Sequence, residues 1–153
     1  MDSGAGLMGN NIKKALGNLD NTDWCFGVQE GLNLEGDDYY NIPQDHLLID
    51  YVKDADLIVG RPGFNTLSEC IAYRKPMLLI SESMNPEMEF NIAELKKLRL
   101  GAFMSLLDFQ NNFAQVLQSF FKYEYQMIHD SMTNHSFEID GANVIAKDIL
   151  ESI

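Results

Sequence analysis

Basic residues are scarce in this chain: 11 Lys and Arg stand against 23 Asp and Glu over 153 residues, a formal net charge of −12. Nucleic-acid affinity comes largely from clustered Lys and Arg, so a DNA- or RNA-binding role is disfavoured. An anionic ligand would have to be held by backbone dipoles and one or two local cations, not by a general positive field. Cysteine is also rare. Cys25 and Cys70 belong to no CxxC or Cys/His cluster, and they read as reduced core residues of an intracellular protein, in a predicted strand and helix respectively. No apolar run reaches the roughly 18 residues of a membrane span, and the N-terminus shows no signal-peptide pattern, so the expected location is cytoplasmic. The acidic residues are scattered or sit in loops such as Glu35-Gly36-Asp37-Asp38 that complete no EF-hand, and no metal constellation is found. His129 and His135 lie in a polar stretch near the end, without an Asp/Ser pattern suggesting a triad. Internal repeats, low-complexity tracts and inter-domain linkers are absent from the sequence.

What is there is an ordinary globular composition, 46% apolar and 22% charged. The length suits one domain that buries roughly 70% of its unfolded surface; two full domains would not fit. The chain is organised around residues 55–81, ADLIVGRPGFNTLSECIAYRKPMLLIS. Leu57, Ile58 and Val59 form a continuous apolar run, as expected of a parallel strand buried on both faces. Gly60-Arg61-Pro62-Gly63 breaks it: Pro62 holds Arg61 extended, and Gly63 permits angles or approaches that a side chain forbids. A helix follows, with Leu67, Cys70, Ile71 and Ala72 or Tyr73 on one face. Pro76 stops it, and residues 77–80 make the next buried strand. The stretch is therefore a βαβ unit. A glycine turn from a parallel strand into a helix presents free N–H groups and a positive dipole end, suited to phosphate.

Ahead of this unit, residues 1–6 (MDSGAG) lead into an imperfect helix over 7–19, a weak phosphate-loop pattern because no strand precedes it. Residues 22–28 read as a strand, 31–39 as an acidic loop, 40–42 as a short strand, and 45–55 as a helix with Leu47, Leu48, Tyr51 and Val52 on one face. After Ser81 a loop joins a helix over about 88–98, with Ile92, Leu95 and Leu98 toward the core. Residues 101–104 look like the last strand. Residues 106–127 read as one helix rich in aromatics, a stacking surface or, more in keeping with its interspersed Leu and Val, part of the core. Residues 141–153 read as a final amphipathic helix.

An ordered set of residues now stands out: Asp56, the apolar Leu57 to Val59, Gly63, Thr66, Ser68-Glu69, Pro76, and then Asn91-Ile92-Ala93-Glu94-Leu95. This set resembles the donor-nucleotide half of GT-B-type glycosyltransferases of family 28, the branch containing the N-acetylglucosaminyltransferase that makes lipid II. The resemblance is tight over about a third of the chain and loose over most of the rest. It implies a Rossmann-like, three-layer α/β/α sandwich with a parallel sheet, the GT-B C-terminal half, as a single domain over residues 1–153. In that family a strand precedes the first loop, so we expect the sequence to start just inside the domain, the alternative being a sheet without its usual first strand.

The resemblance also implies roles. Glu69 would accept hydrogen bonds from the two ribose hydroxyls, although Thr66 to Glu69 equally suits a capping box with Thr66 as N-cap. Gly63, Asn65 and Thr66 would meet the diphosphate, or Gly63 would serve only the turn geometry. Arg61 would neutralise phosphate charge or remain solvated. Ser3, Gly4 and Gly6 would reach the phosphates from the opposite loop. Leu48 and His46 would line the nucleobase slot, His46 reading equally as an exposed first-turn residue, and Asn91 belongs to the donor loop. Glu87 and Met88 depart from the pattern: the family carries sugar-binding glutamines there, and Glu87 or Glu89 would bring negative charge near a diphosphate. No general base is found, because inverting GT-B enzymes draw it mainly from the N-terminal acceptor domain.

Three functions follow as expectations. The leading one is the donor-binding domain for a UDP-sugar or similar nucleotide-sugar, completing hexosyl transfer only with an acceptor domain in the same gene or a partner subunit. That partner could also place it at a membrane surface. The second is a non-catalytic sensor or docking module, and the third a nucleotide-sugar epimerase or hydrolase. No cofactor is expected, the nucleotide-sugar being a substrate.

Overall fold

A run of four apolar residues at 77–80 needs cover on both faces, and the chain supplies it by placing this strand in the middle of a parallel sheet. The computed structural model of the protein describes residues 25–29, 39–43, 48–81 and 85–137. Its elements in order are β1 (Phe26–Gln29), β2 (Tyr39–Ile42), α1 (Leu48–Asp54), β3 (Ile58–Gly60), α2 (Phe64–Ala72), β4 (Met77–Ser81), α3 (Pro86–Leu98), β5 (Ala102–Ser105), α4 (Leu106–Asn111), α5 (Phe113–Tyr123) and α6 (Tyr125–Asn134). Every pairing is parallel. β1 and β2 form one sheet, with Phe26 opposite Tyr39. β3, β4 and β5 form a second in that spatial order, with Ile58 opposite Met77 and Leu78 opposite Ala102. Parallel neighbours require crossovers, which α2 and α3 provide, and the result is the expected α/β, Rossmann-like arrangement.

Met77, Leu78, Leu79 and Ile80 of β4 are all buried, and α2 covers them with Leu67 and Cys70. β3 differs from expectation. Leu57, Ile58 and Val59 are only half-buried, because β3 is an edge strand of the three-stranded sheet and not an interior one. The face of α2 is also narrower than its sequence suggests: Ala72 and Tyr73 are exposed. The helix ends before Pro76, through the Tyr73 N–H on the Glu69 carbonyl and Arg74 at φ 55°.

α3 starts two residues earlier than the periodicity indicates, since Asn85 is its N-cap and Pro86 its first residue. The Asn85 carboxamide oxygen accepts from the N–H groups of Glu87 (3.1 Å) and Met88 (3.3 Å). This is the Asn-Pro pattern that starts helices well. Ile92 and Leu95 face the core as expected, whereas Leu98 is exposed in the last turn.

The stretch expected as one helix over 106–127 is three, broken at Asn112 and Glu124 and extended through α6. Its aromatics divide. Phe109, Phe113 and Phe120 are core, Phe121 and Tyr125 stack half-buried with centroids 4.9 Å apart, and Tyr123 is exposed. His129 lies within α6, not in a polar tail, and stacks on Tyr125. The helices expected over 7–19 and 141–153 fall outside the described residues. No helix among the described residues is long and apolar enough to cross a membrane.

The two thiols also part company. Cys70 is fully buried as expected, and burial, with the nearby Glu69 charge second, pushes its pKa up to about 12. Cys25 is exposed just ahead of β1, a correction to its expected place in the core. A thiolate is the reactive form. Iodoacetamide at mildly alkaline pH is therefore expected to modify Cys25 and spare Cys70 in the folded chain, as read by peptide mass spectrometry. Comparable labelling of both would contradict the packing of α2 on β4.

Candidate functional site

At the C-terminal end of β3 the chain turns through Arg61, Pro62 and Gly63 into α2. The turn is tight: the Gly63 N–H bonds to the Arg61 carbonyl at 2.9 Å. Gly63 is the N-cap of α2, and no side chain caps the helix. The first amides of an α-helix have no partner within it. Those of Phe64, Asn65 and Thr66 are therefore available at the positive end of a nine-residue helix.

Gly63 does not need to be glycine for the sake of the fold. Its φ of −76° and ψ of 148° suit any residue, and a Cβ built there meets no heavy atom within 4 Å. Turn geometry alone thus does not explain it. The space above its Cα is open, and it belongs to a shallow cavity of about 360 Å³ lined by Gly63, Phe64, Asn65, Thr66 and Glu87.

The turn is held from beneath. Pro62 is fully buried, and its carbonyl accepts from the Asn91 carboxamide NH₂ at 2.9 Å. Asn91 sits one turn into α3, on the face toward β3, so the helix after β4 fixes the loop after β3. One hydrogen of its amide is thus committed to positioning the turn. A second local bond, Ser68 Oγ to the Asn65 carbonyl at 2.9 Å, ties the first turn of α2 to itself.

Glu69 stands in the middle of α2, half-buried, and its carboxylate makes no hydrogen bond to a described side chain or backbone group. The capping-box alternative fails: Thr66 is the third residue of the helix and not its N-cap, so Glu69 has no cap amide to reach. Of the other sequence-derived residues, Arg61 is exposed beside the turn. Leu48 is 37% exposed at the start of α1. Glu87 lines the cavity from the first turn of α3, while Met88 is half-buried and Glu89 exposed. Ser3, Gly4, Gly6 and His46 lie outside the described residues. The structure therefore gathers Gly63, Asn65, Thr66 and Glu87 around one cavity, with Asn91 as its support.

Sequence reasoning missed Phe64. It is 70% exposed and lines the cavity at the first position of α2. Part of the signal was present, since Phe64 follows the glycine turn directly, but its spacing of three and seven residues from Leu67 and Ile71 reads as part of the core stripe. Among the described residues no cluster of His, Cys, Asp and Glu could hold a metal ion.

Comparisons with known proteins agree with this fold. The chain is 29% identical over 127 residues to the UDP-N-acetylglucosamine--N-acetylmuramyl-(pentapeptide) pyrophosphoryl-undecaprenol N-acetylglucosamine transferase of Oceanobacillus iheyensis, covering 79% of this chain and 29% of that protein. The chain thus spans about three-tenths of the length of that relative. Its fold is similar to the crystal structure of the glycosyltransferase SnogD from Streptomyces nogalater, with a TM-score of 0.52 at 12% identity, over 89% of this chain and 38% of that one. The family model for the glycosyltransferase family 28 C-terminal domain matches residues 17–145. With most of its length inside that match, the chain belongs to the glycosyltransferase family 28 C-terminal domain family.

Proposed function

We propose that this domain binds the nucleotide-sugar donor, a UDP-sugar, of a hexosyl transfer reaction whose acceptor half lies elsewhere. The observation that carries the reading is the uncapped N-terminus of α2 behind a glycine that the fold itself does not require. Open space over Gly63 lets a diphosphate come close to the Phe64, Asn65 and Thr66 amides. In an acidic chain these dipoles, with Arg61 beside them, supply the local positive character that the net charge withholds. Glu69, on the same helix and free of a cap role, has the two acceptor oxygens that a pair of ribose hydroxyls would use. The exposed ring of Phe64 offers an apolar face to a sugar or base. In transfer this half would hold the donor in place and stabilise the charge developing on the leaving diphosphate.

Calorimetric titration with UDP and UDP-sugars tests the reading. Saturable heat is expected from the unmodified chain. Glu69→Ala should weaken the affinity about ten- to a hundredfold, the range for hydrogen bonds to a charged group. Gly63→Ala should keep the melting temperature or raise it, because the native φ suits alanine, while weakening nucleotide binding. Absence of saturable heat, or heat indifferent to Glu69→Ala, overturns the proposal. It would favour a second reading, supported by the Glu87 carboxylate in the cavity wall: a sensor or docking module in which an acidic side chain occupies the phosphate's surroundings.

A further inference from the structure

We infer that the domain holds a second ligand site, for a small aromatic phosphomonoester, in the cavity between the C-terminal end of α3, the start of β5 and the first turn of α6. This cavity measures about 340 Å³, and Lys96, Arg99, Phe103, Glu124, Met127 and Ile128 are among its walls. Its size is at the lower end of the roughly 300–1,000 Å³ that small-molecule sites occupy. It shares no residue with the cavity at Gly63. That one opens where β3 ends, and this one where β5 begins.

A backbone cost marks the cavity's edge. Arg99, which ends α3, stands at φ 56° and ψ 42°, in the left-handed region. Its N–H bonds to the Lys96 carbonyl at 3.3 Å, and the Leu100 N–H to the Leu95 carbonyl at 3.1 Å. Glycine is the usual occupant of such a helix end, because a Cβ is crowded in that conformation. Attraction of a cation to the negative end of the helix does not account for the arginine, since Lys96 and Lys97 in the last turn already supply it. Arg74, at φ 55°, is the other non-glycine residue of this kind among the described residues, and its side chain is in use: Nη1 donates to the Thr133 carbonyl. The Arg99 guanidinium has no hydrogen bond or ion pair among the described residues, and it lines the cavity.

The walls suit a ligand charged at one end and flat at the other. The Lys96 ammonium stands 5.1 Å from the centroid of the Phe103 ring, a cation–π contact that holds the charge at the wall. Two cations face one carboxylate, Glu124, so the local balance is positive in a chain of net charge −12. A phosphomonoester carries about −1.5 to −2 at neutral pH, and so meets a lysine and an arginine together where a carboxylate would meet only one. The planar fork of arginine adds paired donors for its oxygens. Glu124 disfavours a ligand that is anionic along its whole length. For the uncharged end there are the half-buried Phe103, Met127 at 47% exposure and the buried Ile128. An aromatic ring packs well against a ring edge and a thioether.

Calorimetric titration of the full chain with phenyl phosphate, in the presence of excess UDP, tests the site. Saturable heat is expected, with inorganic phosphate binding about tenfold or more weakly for want of the ring. Arg99→Gly should keep the melting temperature or raise it, since glycine relieves the left-handed backbone, and should weaken phenyl phosphate about tenfold or more. Lys96→Gln, which leaves the helix end in place, should weaken it likewise. The inference is overturned if no saturable heat appears, if UDP abolishes the heat and so assigns the probe to the Gly63 turn, if neither variant changes the affinity, or if inorganic phosphate binds as well. Saturable phenyl phosphate heat from a chain that gives none with UDP would support this site while the donor reading failed.

Discussion

Phe120→Ala is expected to cost about 3–5 kcal/mol of unfolding free energy, read as a fall in the urea midpoint at constant slope. Phe120 is 1% exposed, and it meets Phe121 and Tyr125 edge-on at centroid distances of 5.4 and 5.9 Å. Truncation removes the transfer energy of a large ring, leaves a cavity and breaks two favourable ring contacts. Against a total stability of about 5–15 kcal/mol, this single change brings the domain close to its unfolding threshold. The control is three residues away. Tyr123 lies exposed on the same helix, and Tyr123→Ala should stay within about 0.5 kcal/mol. Similar costs for the two would show that α5 does not bury the face described.

Asn91→Leu should carry the next largest effect, about 1–3 kcal/mol, the cost of leaving a buried carbonyl unsatisfied. The leucine roughly keeps the volume and discards the donor, so the Pro62 carbonyl loses its 2.9 Å partner. The consequence should extend beyond stability. Pro62 precedes the N-cap of α2, and a slackened turn mispositions the amides of Phe64, Asn65 and Thr66. Asn91→Leu is therefore expected to weaken UDP binding while Asn85→Ala, which removes the cap of the same helix, costs about 1 kcal/mol of stability and leaves binding largely intact. Equal effects of both on affinity would reduce Asn91 to a stabiliser of α3.

Much of the fold was legible in the chain. The βαβ unit over 55–81 follows from two apolar runs, a Gly/Pro turn and a helical stripe, and each element sits within one or two residues of its expected bounds. What failed was what depends on neighbours. Leu57 to Val59 read as an interior strand, and local pattern carries no information about whether a partner occupies each side. The break at Asn112 went unread although two successive asparagines, both weak helix formers, mark it, and the chain bends there with Phe109 against Phe113, 5.2 Å between centroids. Cys25 read as core from an apolar neighbourhood whose paired strand does not cover it.

The candidate site divides in the same way. Gly63, Asn65 and Thr66 were found by the rule linking glycine turns to helix starts, and the cavity gathers them. Asn91 was singled out through a resemblance. Its hydrogen bond to Pro62 joins residues 29 apart, a separation at which spacing is uninformative. Phe64 was passed over because it continues the helical spacing of Leu67 and Ile71 and so reads as core, whereas at the first position of α2 it is 70% exposed.

Among the described residues no charged side chain lies in the interior, and the thiol of Cys70, the first titratable group there, keeps its proton until about pH 12. From mild acid to mild alkali, then, protons find no fully buried charged side chain to act on among the described residues. A change of pH over that range should therefore leave the packing of the described core undisturbed, with the Cys70 thiol still shielded from alkylation.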